Sequence, residues 1–483
     1  MDHDASPDVD RRAHTGPYLI FASAWAAASL FHVWYSAFSF GGVPLRSQVG
    51  VAELTVAAAA VVVLLDPHRV LAFLALAGAQ VWSAILEAPV IGNHWVLAAL
   101  VAVAMLLAAA AVAFGRGRHM TPTALFARFA PAARWSVLGF YAFAAFSKLN
   151  HGFFTTRTSC ATFYFDETAR SLGIDGHVAT KAGIGAAVVL GTAMIELSVP
   201  VLLVIRRTRP AGVLVGVLFH SAIALDQQHL FSDFSSLLIA MFLLFLPPSF
   251  AAWAAGVVGR GRVTALRWAA VATAVTVTAA MVAGVEGRTF RPFENGRHLA
   301  WIGYDLLVVV LVVAFIFGER PRVDAAASPL RLAPRWLAVV PAIVVLNGLT
   351  PYLELKTGYG WNMYSNLRTV DGDSNHFLIT RSLPILDVQE DLVTILSSSD
   401  RHLQIYADLG WDLPYLQFRA YLSRHPGSDV RYRRRGAVHD LAHASDDPAL
   451  VADVPAWQEK LLAFRAVDQA DPPRCQPVFL PAR

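Results

Sequence analysis

The sequence predicts a mainly α-helical protein, in which a polytopic bundle of about eleven transmembrane helices is followed by an extracytoplasmic, β-rich α+β domain. Three observations support this fold class. Hydrophobic residues make up 56% of the 483 residues, and charged residues only 15%. The mean hydropathy of +0.49 is well above that of a soluble globular protein. Apolar runs near the length of a bilayer crossing also recur along the first 350 residues.

These apolar runs define the predicted spans, of which the second and seventh are short. The predicted spans are 18–40, 50–65, 68–88, 94–114, 135–150, 183–205, 210–225, 231–247, 264–284, 298–317 and 335–350. The first run ends without a small-residue cleavage site, so we expect a retained helix and not a signal peptide. The chain therefore divides into a polar tail (1–17), a membrane domain (18–350) and a soluble domain (351–483).

Arginines cluster in alternate connections between the predicted spans, which the positive-inside rule places in the cytoplasm. The clusters are Arg116, Arg118, Arg128 and Arg134; Arg206, Arg207 and Arg209; Arg260 and Arg262; and Arg320, Arg322, Arg331 and Arg335. With eleven spans, the amino terminus lies in the cytoplasm and the C-terminal domain lies outside the cell membrane. The net charge of +4 is modest and the arginines form no single stripe, so no nucleic-acid partner is expected.

The soluble domain contains three short strand-like runs, HFLI (376–379), LVTIL (392–396) and LQIY (403–406), and a predicted helix over 412–424. The chain has two cysteines, Cys160 and Cys475, and both fall on the predicted outer side. In that oxidising compartment they form a disulfide or remain two unrelated thiols, and the sequence leaves both open. No CxxC, HExxH or clustered Cys/His spacing is present, so no metal ligands are assigned and a metal requirement stays open.

Lys148 is the most informative residue because it ends an apolar run in FSKLNHGFF (146–154). A buried ammonium is costly unless it is paired, neutral or used in chemistry. A lysine in apolar surroundings loses its proton more easily and can act as a general base. The opposing interpretation is a snorkelling side chain with a buried stem and a wet head.

Other polar residues stand in or beside the predicted spans. They are Asn93 and His94 at the start of the fourth span, Glu196 and His220 inside apolar helices, Asp226, His229 and Asp233 around an outer helix end, and His32 in the first span. By depth, Lys148, His94, Asp226, His229 and Asp233 belong to the outer third of the bundle, where one cavity can hold them. Each also has a structural interpretation, as a helix–helix hydrogen-bonding residue, a cap or a packed residue.

Four of these segments, in the same order, resemble the vitamin K-dependent γ-glutamyl carboxylase-like proteins, which include the bacterial HTTM membrane proteins. The matched positions are Lys148, Leu149 and Asn150; Asn93 and His94; Phe219 and His220 with Leu230, Phe231 and Ser232; and Trp361 and Met363. The resemblance implies that Lys148 is catalytic, that His94 is functional, and that Trp361 opens a lumenal β-rich domain. The chain is much shorter than the animal enzyme, which leaves little room for a propeptide-binding region.

The resemblance implies a lysine that deprotonates a reduced quinone of the vitamin K type, with oxygenation and carboxylation to follow. We therefore expect a membrane-embedded enzyme with catalytic Lys148, His94 and His220, acting on a hydroquinone or another isoprenoid-bearing lipid. Asn93, Asn150, Asp226 and Trp361 are the predicted substrate-binding residues. Two alternatives remain: a terpene cyclase using Asp166, Glu167 or Asp226, although no DDxxD or DxDD motif is present, and a non-enzymatic transporter or lipid-binding protein.

Overall fold

The computed structural model describes residues 7–39, 47–115, 119–174, 176–181, 183–226, 229, 231–282, 291–319 and 330–477. Helices make up most of its first 350 residues. They are α1 (Pro7–Ser39), α2 (Gln48–Leu65), α3 (Val70–Glu87), α4 (Asn93–Ala113), α5 (Pro122–Phe146), α6 (His151–Phe154), α7 (Cys160–Ser171), α8 (Ile184–Val204), α9 (Arg209–Ile223), α10 (Phe231–Leu243), α11 (Pro248–Val258), α12 (Arg260–Val282), α13 (Arg291–Glu319) and α14 (Val339–Leu349).

Seven described helices are long and apolar enough to cross a membrane, which marks the chain as an integral membrane protein. These segments are Thr15–Tyr35, Gln48–Leu65, Val70–Glu87, Asn93–Ala113, Ile184–Val204, Gly261–Ala280 and Arg297–Glu319. Helices α10 and α11 meet at an angle of 112°, and together they would make an eighth.

Each of the eleven predicted spans contains a helix, but four of those helices fall outside this set of seven. They are α5, the short α9 and α14, and α10 of the bent pair. The amino-terminal helix α1 begins at Pro7, inside the predicted polar tail. Five arginines predicted to lie in connections lie within helices instead, because these helices begin before the predicted spans: Arg128 and Arg134 in α5, Arg209 in α9, and Arg260 and Arg262 in α12. Arg116, Arg118, Arg320, Arg322 and Leu230 lie outside the described residues.

Buried polar side chains tie the helices of the bundle together. The Arg134 Nε donates to the Leu244 carbonyl at 2.7 Å, where α10 ends and the chain bends toward α11. The Trp25 indole of α1 donates to the side-chain oxygen Oε1 of Gln80 in α3 at 2.8 Å, and the Gln80 side-chain Nε2 donates to the Ser29 hydroxyl at 2.8 Å. These bonds satisfy polar groups that have no water to bind inside the bundle.

The C-terminal region carries a five-stranded antiparallel sheet in the order β6-β5-β3-β4-β7, and a separate pair, β1 and β2. Helices α15 and α16 pack on the sheet around a core that includes Leu403, Phe418 and Tyr432. The elements are β1 (Thr369–Val370), β2 (Asp373–Ser374), β3 (Leu392–Ser397), α15 (Arg401–Leu409), β4 (Trp411–Pro414), α16 (Tyr415–Arg424), β5 (Val430–Arg434), β6 (Ala437–Leu441), α17 (Pro448–Val451), α18 (Ala456–Leu461) and β7 (Val467–Asp468).

Of the four local predictions for this region, the strand at 392–396 and the helix near 412–424 are confirmed, the latter with a later start, and the other two are wrong. The 392–396 strand is β3. The 403–406 segment was predicted as a strand, but it lies within α15. The 412–424 segment begins as strand β4 and becomes helical only at Tyr415. The 376–379 segment forms only an isolated bridge, between His376 and Asn150.

Residues 350–368, between α14 and β1, dock onto the bundle, and we call them the docking segment. Trp361 is fully buried, and its indole donates to the Val344 carbonyl of α14 at 2.7 Å. Cys160 and Cys475 form a disulfide, which confirms the pairing that the sequence left open. The bond fastens the start of α7 to the C-terminal segment, 315 residues further along the chain.

Candidate functional site

Lys148 lies inside the bundle, immediately after the end of α5. Its side chain is only 7% exposed, and Nζ is 2.7 Å from Glu196 Oε2 of α8. The same Nζ donates to the Ala144 carbonyl at 3.1 Å. A snorkelling lysine would instead extend a wet head group toward the surface, so the geometry favours a buried, paired ammonium.

His220 of α9 is the second buried group near this pair. Its Nε2 lies 3.4 Å from the Tyr141 hydroxyl of α5, and its Nδ1 is buried with no hydrogen-bond partner among the described residues. Lys148 is close enough to His220, and Glu196 to Tyr141, for the members of each pair to interact electrostatically. We call these four residues, Lys148, Glu196, His220 and Tyr141, the lysine cluster.

A second group, which we call the histidine cluster, consists of His32, Glu87, His94 and Asp233. The imidazoles of His32 of α1 and His94 of α4 both contact Asp233 Oδ2 of α10, through Nδ1 at 2.9 Å and Nε2 at 2.8 Å. On the other side of the His32 ring, Nε2 is 3.4 Å from Glu87 Oε2, at the end of α3. Four helices, α1, α3, α4 and α10, thus each contribute one titratable side chain to this cluster.

Aromatic rings hold the histidine cluster in position. The His32 ring stacks on Trp95 with centroids 3.6 Å apart. The Trp95 indole donates to Glu87 Oε1 at 3.1 Å, and the Ser83 hydroxyl donates to the same oxygen. These contacts fix the face of the imidazole and the direction of the Glu87 carboxylate.

Phe234 connects the two clusters. Its ring centroid lies 5.7 Å from that of His94 and 5.0 Å from that of His220. The neighbouring Ser235 hydroxyl donates to the His220 carbonyl at 2.9 Å. The Phe234 ring therefore lies between the predicted catalytic residues His94 and His220.

Three predicted substrate-binding residues make contacts within the protein. The Asn93 side-chain oxygen accepts from the Trp361 backbone N–H at 3.0 Å. Asn150 caps α6 by accepting from Phe153 N at 2.9 Å, and its amide donates to the carbonyls of Ser147 and Ser365. The Asn93–Trp361 and Asn150–Ser365 hydrogen bonds join the docking segment to the bundle, and both Asn150 and Trp361 are buried.

The fourth predicted substrate-binding residue, Asp226, belongs to another group. It is buried at the end of α9, and its Oδ2 lies 2.9 Å from His229 Nδ1. The His229 ring packs edge-on to Tyr164 of α7 at 5.0 Å. The five outer residues predicted to share a cavity therefore separate into three groups, around Lys148, His94 with Asp233, and Asp226 with His229.

The residues of the cyclase hypothesis are engaged elsewhere. Asp166 Oδ1 accepts from the Ala179 backbone N–H at 2.8 Å, and Glu167 pairs with Arg170 at 2.5 Å. Both bonds lie in and beside α7. Neither carboxylate shares a contact with Asp226 among the hydrogen bonds and ion pairs of the described residues.

An unusual amine lies in the docking segment outside the spans. Burial lowers the pKa of Lys356 to about 7. Its Nζ lies 4.1 Å from the centroid of the Tyr359 ring. The adjoining backbone N–H groups of Thr357 and Gly358 donate to the Ala463 carbonyl, which attaches the backbone next to Lys356 to the segment that follows α18.

Sequence reasoning missed Glu87, Tyr141 and the roles of His32 and Glu196. The available signal was the ionisable residue inside an apolar run, which in a membrane helix is a functional hypothesis by default. Glu53 of α2 carries the same signal. Its carboxylate, the Glu87 carboxylate and one His32 nitrogen lie within 4.8 Å of one another.

No protein-family model, curated protein or solved structure matches this chain.

Proposed function

We propose that this protein is a membrane-embedded enzyme that uses Lys148 as a general base on a hydroquinone or another isoprenoid-bearing lipid. The observation that carries the proposal is the buried pair between Lys148 Nζ and Glu196 Oε2, at 2.7 Å. A charged lysine has no free electron pair, so the resting ammonium must first lose a proton. Glu196 is the acceptor within reach.

Proton transfer inside the pair converts an ammonium and a carboxylate into a neutral amine and a carboxylic acid. In a low-dielectric interior the neutral pair gains on the ionic pair, because neither group then carries an unsolvated charge. The amine can next take the proton of a substrate hydroxyl. The ammonium that forms then faces the new oxyanion and stabilises it.

His220 and His94 supply the supporting groups. The unpartnered His220 Nδ1 is free to bind a substrate oxygen, while its Nε2 faces the Tyr141 hydroxyl at 3.4 Å. His94 lies across the Phe234 ring and contacts Asp233. Apolar walls favour such chemistry, since a base is stronger where water is excluded. Resemblance to the vitamin K-dependent carboxylases suggests a reduced quinone as cosubstrate, with oxygenation or carboxylation following deprotonation.

We further propose eleven spans in the plasma membrane, with the amino terminus in the cytoplasm and the C-terminal domain outside. The alternate arginine-rich connections support this orientation. The Cys160–Cys475 disulfide supports it independently, since such bonds persist in oxidising compartments. Labelling of a cysteine introduced at Ser428 is expected from outside intact cells, and labelling only after lysis would reverse the orientation.

The functional experiment first identifies, by mass spectrometry, the lipid that co-purifies with the protein. Turnover of that lipid class is then compared between wild type and Lys148→Arg, because arginine keeps the charge but does not release its proton. We expect a loss of roughly 10²–10⁴-fold, the usual contribution of a general base. The matched control is Lys181→Arg, which makes the same substitution at an exposed lysine; the chain has four lysines in all.

The alternatives give different results in the same experiment. Near-full turnover by Lys148→Arg would show that charge alone is needed, and anion binding or transport would replace the general base. Conversion of a co-purified prenyl diphosphate to a cyclic hydrocarbon would indicate the terpene cyclase. In that case Asp226→Asn, among the aromatic residues of its own group, is expected to abolish product formation.

A further inference from the structure

We propose that His32, His94 and Asp233 bind one divalent transition-metal ion, with Glu87 as the positioning residue behind His32. The three ligand atoms lie within 4.8 Å of one another, and they come from helices α1, α4 and α10. This site does not include Lys148, although it shares His94 with the proposed catalytic groups, and zinc binding is measured independently of lipid turnover, so either proposal can fail without the other.

The hydrogen-bonded geometry is close to that of a metal complex. Nδ1 of His32 and Nε2 of His94 point at the same oxygen of Asp233, at 2.9 and 2.8 Å. A metal bound about 2.0–2.2 Å from each ligand in tetrahedral geometry requires ligand atoms about 3.4 Å apart. The ligand atoms would therefore open by about half an ångström as the metal replaces the shared protons.

An unsatisfied oxygen provides independent support. Within the described part of the chain, Asp233 Oδ1 is buried and has no hydrogen-bond partner, and the residue is only 6% exposed. A buried carboxylate oxygen is costly to leave unpaired. A metal ion bound by both carboxylate oxygens would provide Oδ1 with a partner as well as Oδ2.

The second layer of contacts has the form found behind metal-binding histidines. In such sites a carboxylate accepts the remaining imidazole N–H and fixes the tautomer. Glu87 Oε2 lies within ion-pair distance of His32 Nε2, at 3.4 Å, and Nε2 has no hydrogen bond in the described part of the chain, so the Nε2–H bond to Glu87 would form on metal binding and leave Nδ1 as the ligand. The His94 ring is fixed differently, because it packs over the backbone of Gly92. A β-carbon at Gly92 would lie 2.6 Å from His94 Cε1.

Charge and ligand type indicate the class of metal. The ion-pair partners of Asp233 and Glu87 in the described part of the chain are imidazoles and not lysine or arginine. Two imidazoles with one carboxylate suit zinc, iron or manganese, whereas magnesium and calcium prefer oxygen ligands. Three protein ligands also leave a coordination position open for a substrate oxygen, as catalytic sites do.

The test uses untagged full-length protein in mild detergent, stripped with a chelator and then equilibrated with Zn²⁺. Bound metal is measured by plasma mass spectrometry, and affinity by competition with a chromophoric chelator. We expect one Zn²⁺ per chain. The expected loss of affinity is at least about 100-fold for Asp233→Asn and His94→Ala, and about 10–100-fold for Glu87→Gln.

Two controls separate a built site from incidental binding. His229→Ala removes an imidazole from another aspartate–histidine pair and is expected to leave the metal content unchanged. Gly92→Ala keeps every ligand but displaces the His94 ring, so it should weaken binding. Gly78→Ala, where no atom lies within 4 Å of the added carbon, should not.

The proposal is overturned if wild type binds no zinc above the level of a zinc-free blank. It is also overturned if the Asp233→Asn and His94→Ala proteins, shown to be monodisperse, bind as much zinc as wild type. Retention of one Zn²⁺ by wild type and His229→Ala, with loss in Glu87→Gln and Gly92→Ala, supports it.

Discussion

The helical bundle and the C-terminal sheet domain pair their carboxylates in different ways. In the sheet domain the partners are arginines at the surface. Asp391 pairs with Arg434 at 2.6 Å, with side chains 18% and 23% exposed. For the buried carboxylates Glu196, Glu87 and Asp233 of the bundle the partners are a lysine or imidazoles, and the side chains of Lys148 and Glu196 are only 7% and 13% exposed.

This difference follows from what each partner can do with a proton. Arginine stays charged, so an arginine–carboxylate pair can hold a strand in place but cannot exchange protons. Lysine and histidine can release theirs when their surroundings change. The comparison teaches that the structural pairs and the candidate chemical pairs of this protein are separated in space, the chemical ones lying where water is scarce.

The largest expected effect comes from dividing the buried pair. Lys148→Met leaves Glu196 without its partner, and removing one member of a buried pair typically costs about 3–5 kcal/mol. Adding Glu196→Leu to the same protein should recover most of that loss, because no unpaired charge remains. Urea unfolding in detergent, followed by tryptophan fluorescence, measures both changes.

The matched control for this prediction is a surface pair of the sheet domain. Arg431 and Asp440 lie 4.0 Å apart with side chains 56% and 78% exposed. Their individual substitution by alanine should change stability by less than about 1 kcal/mol. Equal costs for the Lys148 and Arg431 variants would erase the distinction between the two regions.

The next effect concerns the covalent link between the regions. Replacing Cys160 and Cys475 together with serine should lower the free energy of unfolding by about 2–4 kcal/mol, the usual range for a native disulfide. Hydrogen bonds at the same junction remain, since Cys475 N donates to the Thr158 carbonyl and Cys160 N to Asn366 Oδ1. The docked C-terminal segment should therefore become less stable without dissociating.

Hydrogen exchange with mass spectrometry checks this prediction in peptides covering α7 and 466–477. Faster exchange confined to those peptides is the expected pattern. Exchange indistinguishable from wild type would mean that the non-covalent junction suffices. Mild reduction of the wild type should reproduce the effect of the double serine variant.

The sequence was sufficient for features that depend on local chemistry or on apolar length. Each predicted span contains a helix, whereas the burial of Lys148 and the pairing of the two cysteines were each one of two alternatives that the sequence left open. The span count was harder to predict, because α9, α10 and α14 are short and α10 bends sharply into α11. Length along the sequence does not report such a bend.

Two local errors have identifiable causes. The LQIY segment carries strand-forming residues, but Asp400 caps the helix by accepting from His402 N, and Gly410 ends it with φ of 66°. Those capping residues were visible in the sequence and outweighed β-propensity. At 376–379, His376 Nδ1 accepts from the backbone of Leu378 and Ile379, which replaces strand pairing with a local turn.

The histidine cluster shows what local patterns cannot give. Its ligands stand at positions 32, 94 and 233, with Glu87 behind them, and no short motif links them. Only the packing of α1, α3, α4 and α10 brings them together. Residues such as Glu53 and Glu87 would have been recognised by asking why a carboxylate lies inside an apolar helix.

The smallest expected effect is the pH dependence of the sheet domain. The hydrogen bonds from Arg434 hold the pKa of Asp391 below its ordinary value. A carboxyl whose pKa is lower in the folded state stabilises the fold above its unfolded pKa of about 3.9, and this stability is lost as the pH falls through the folded pKa. Because the pair is partly solvent-screened, we expect about 1 kcal/mol or less.

Asp391→Asn should therefore destabilise the domain at pH 6, and its difference from wild type should shrink progressively as the pH falls below the unfolded pKa of about 3.9. The measurement is the urea concentration at which peptides covering Leu392–Ser397 lose protection from hydrogen exchange. Asp440→Asn, which alters the exposed pair with Arg431, is the matched control. A difference between wild type and Asp391→Asn that does not shrink at all as the pH falls below about 3.9 would mean that the carboxylate charge is not what Arg434 stabilises. The shape of the hydrogen-bonded side chain would then account for the pair, and the contrast between charge-bearing surface pairs and proton-exchanging interior pairs would rest on the bundle alone.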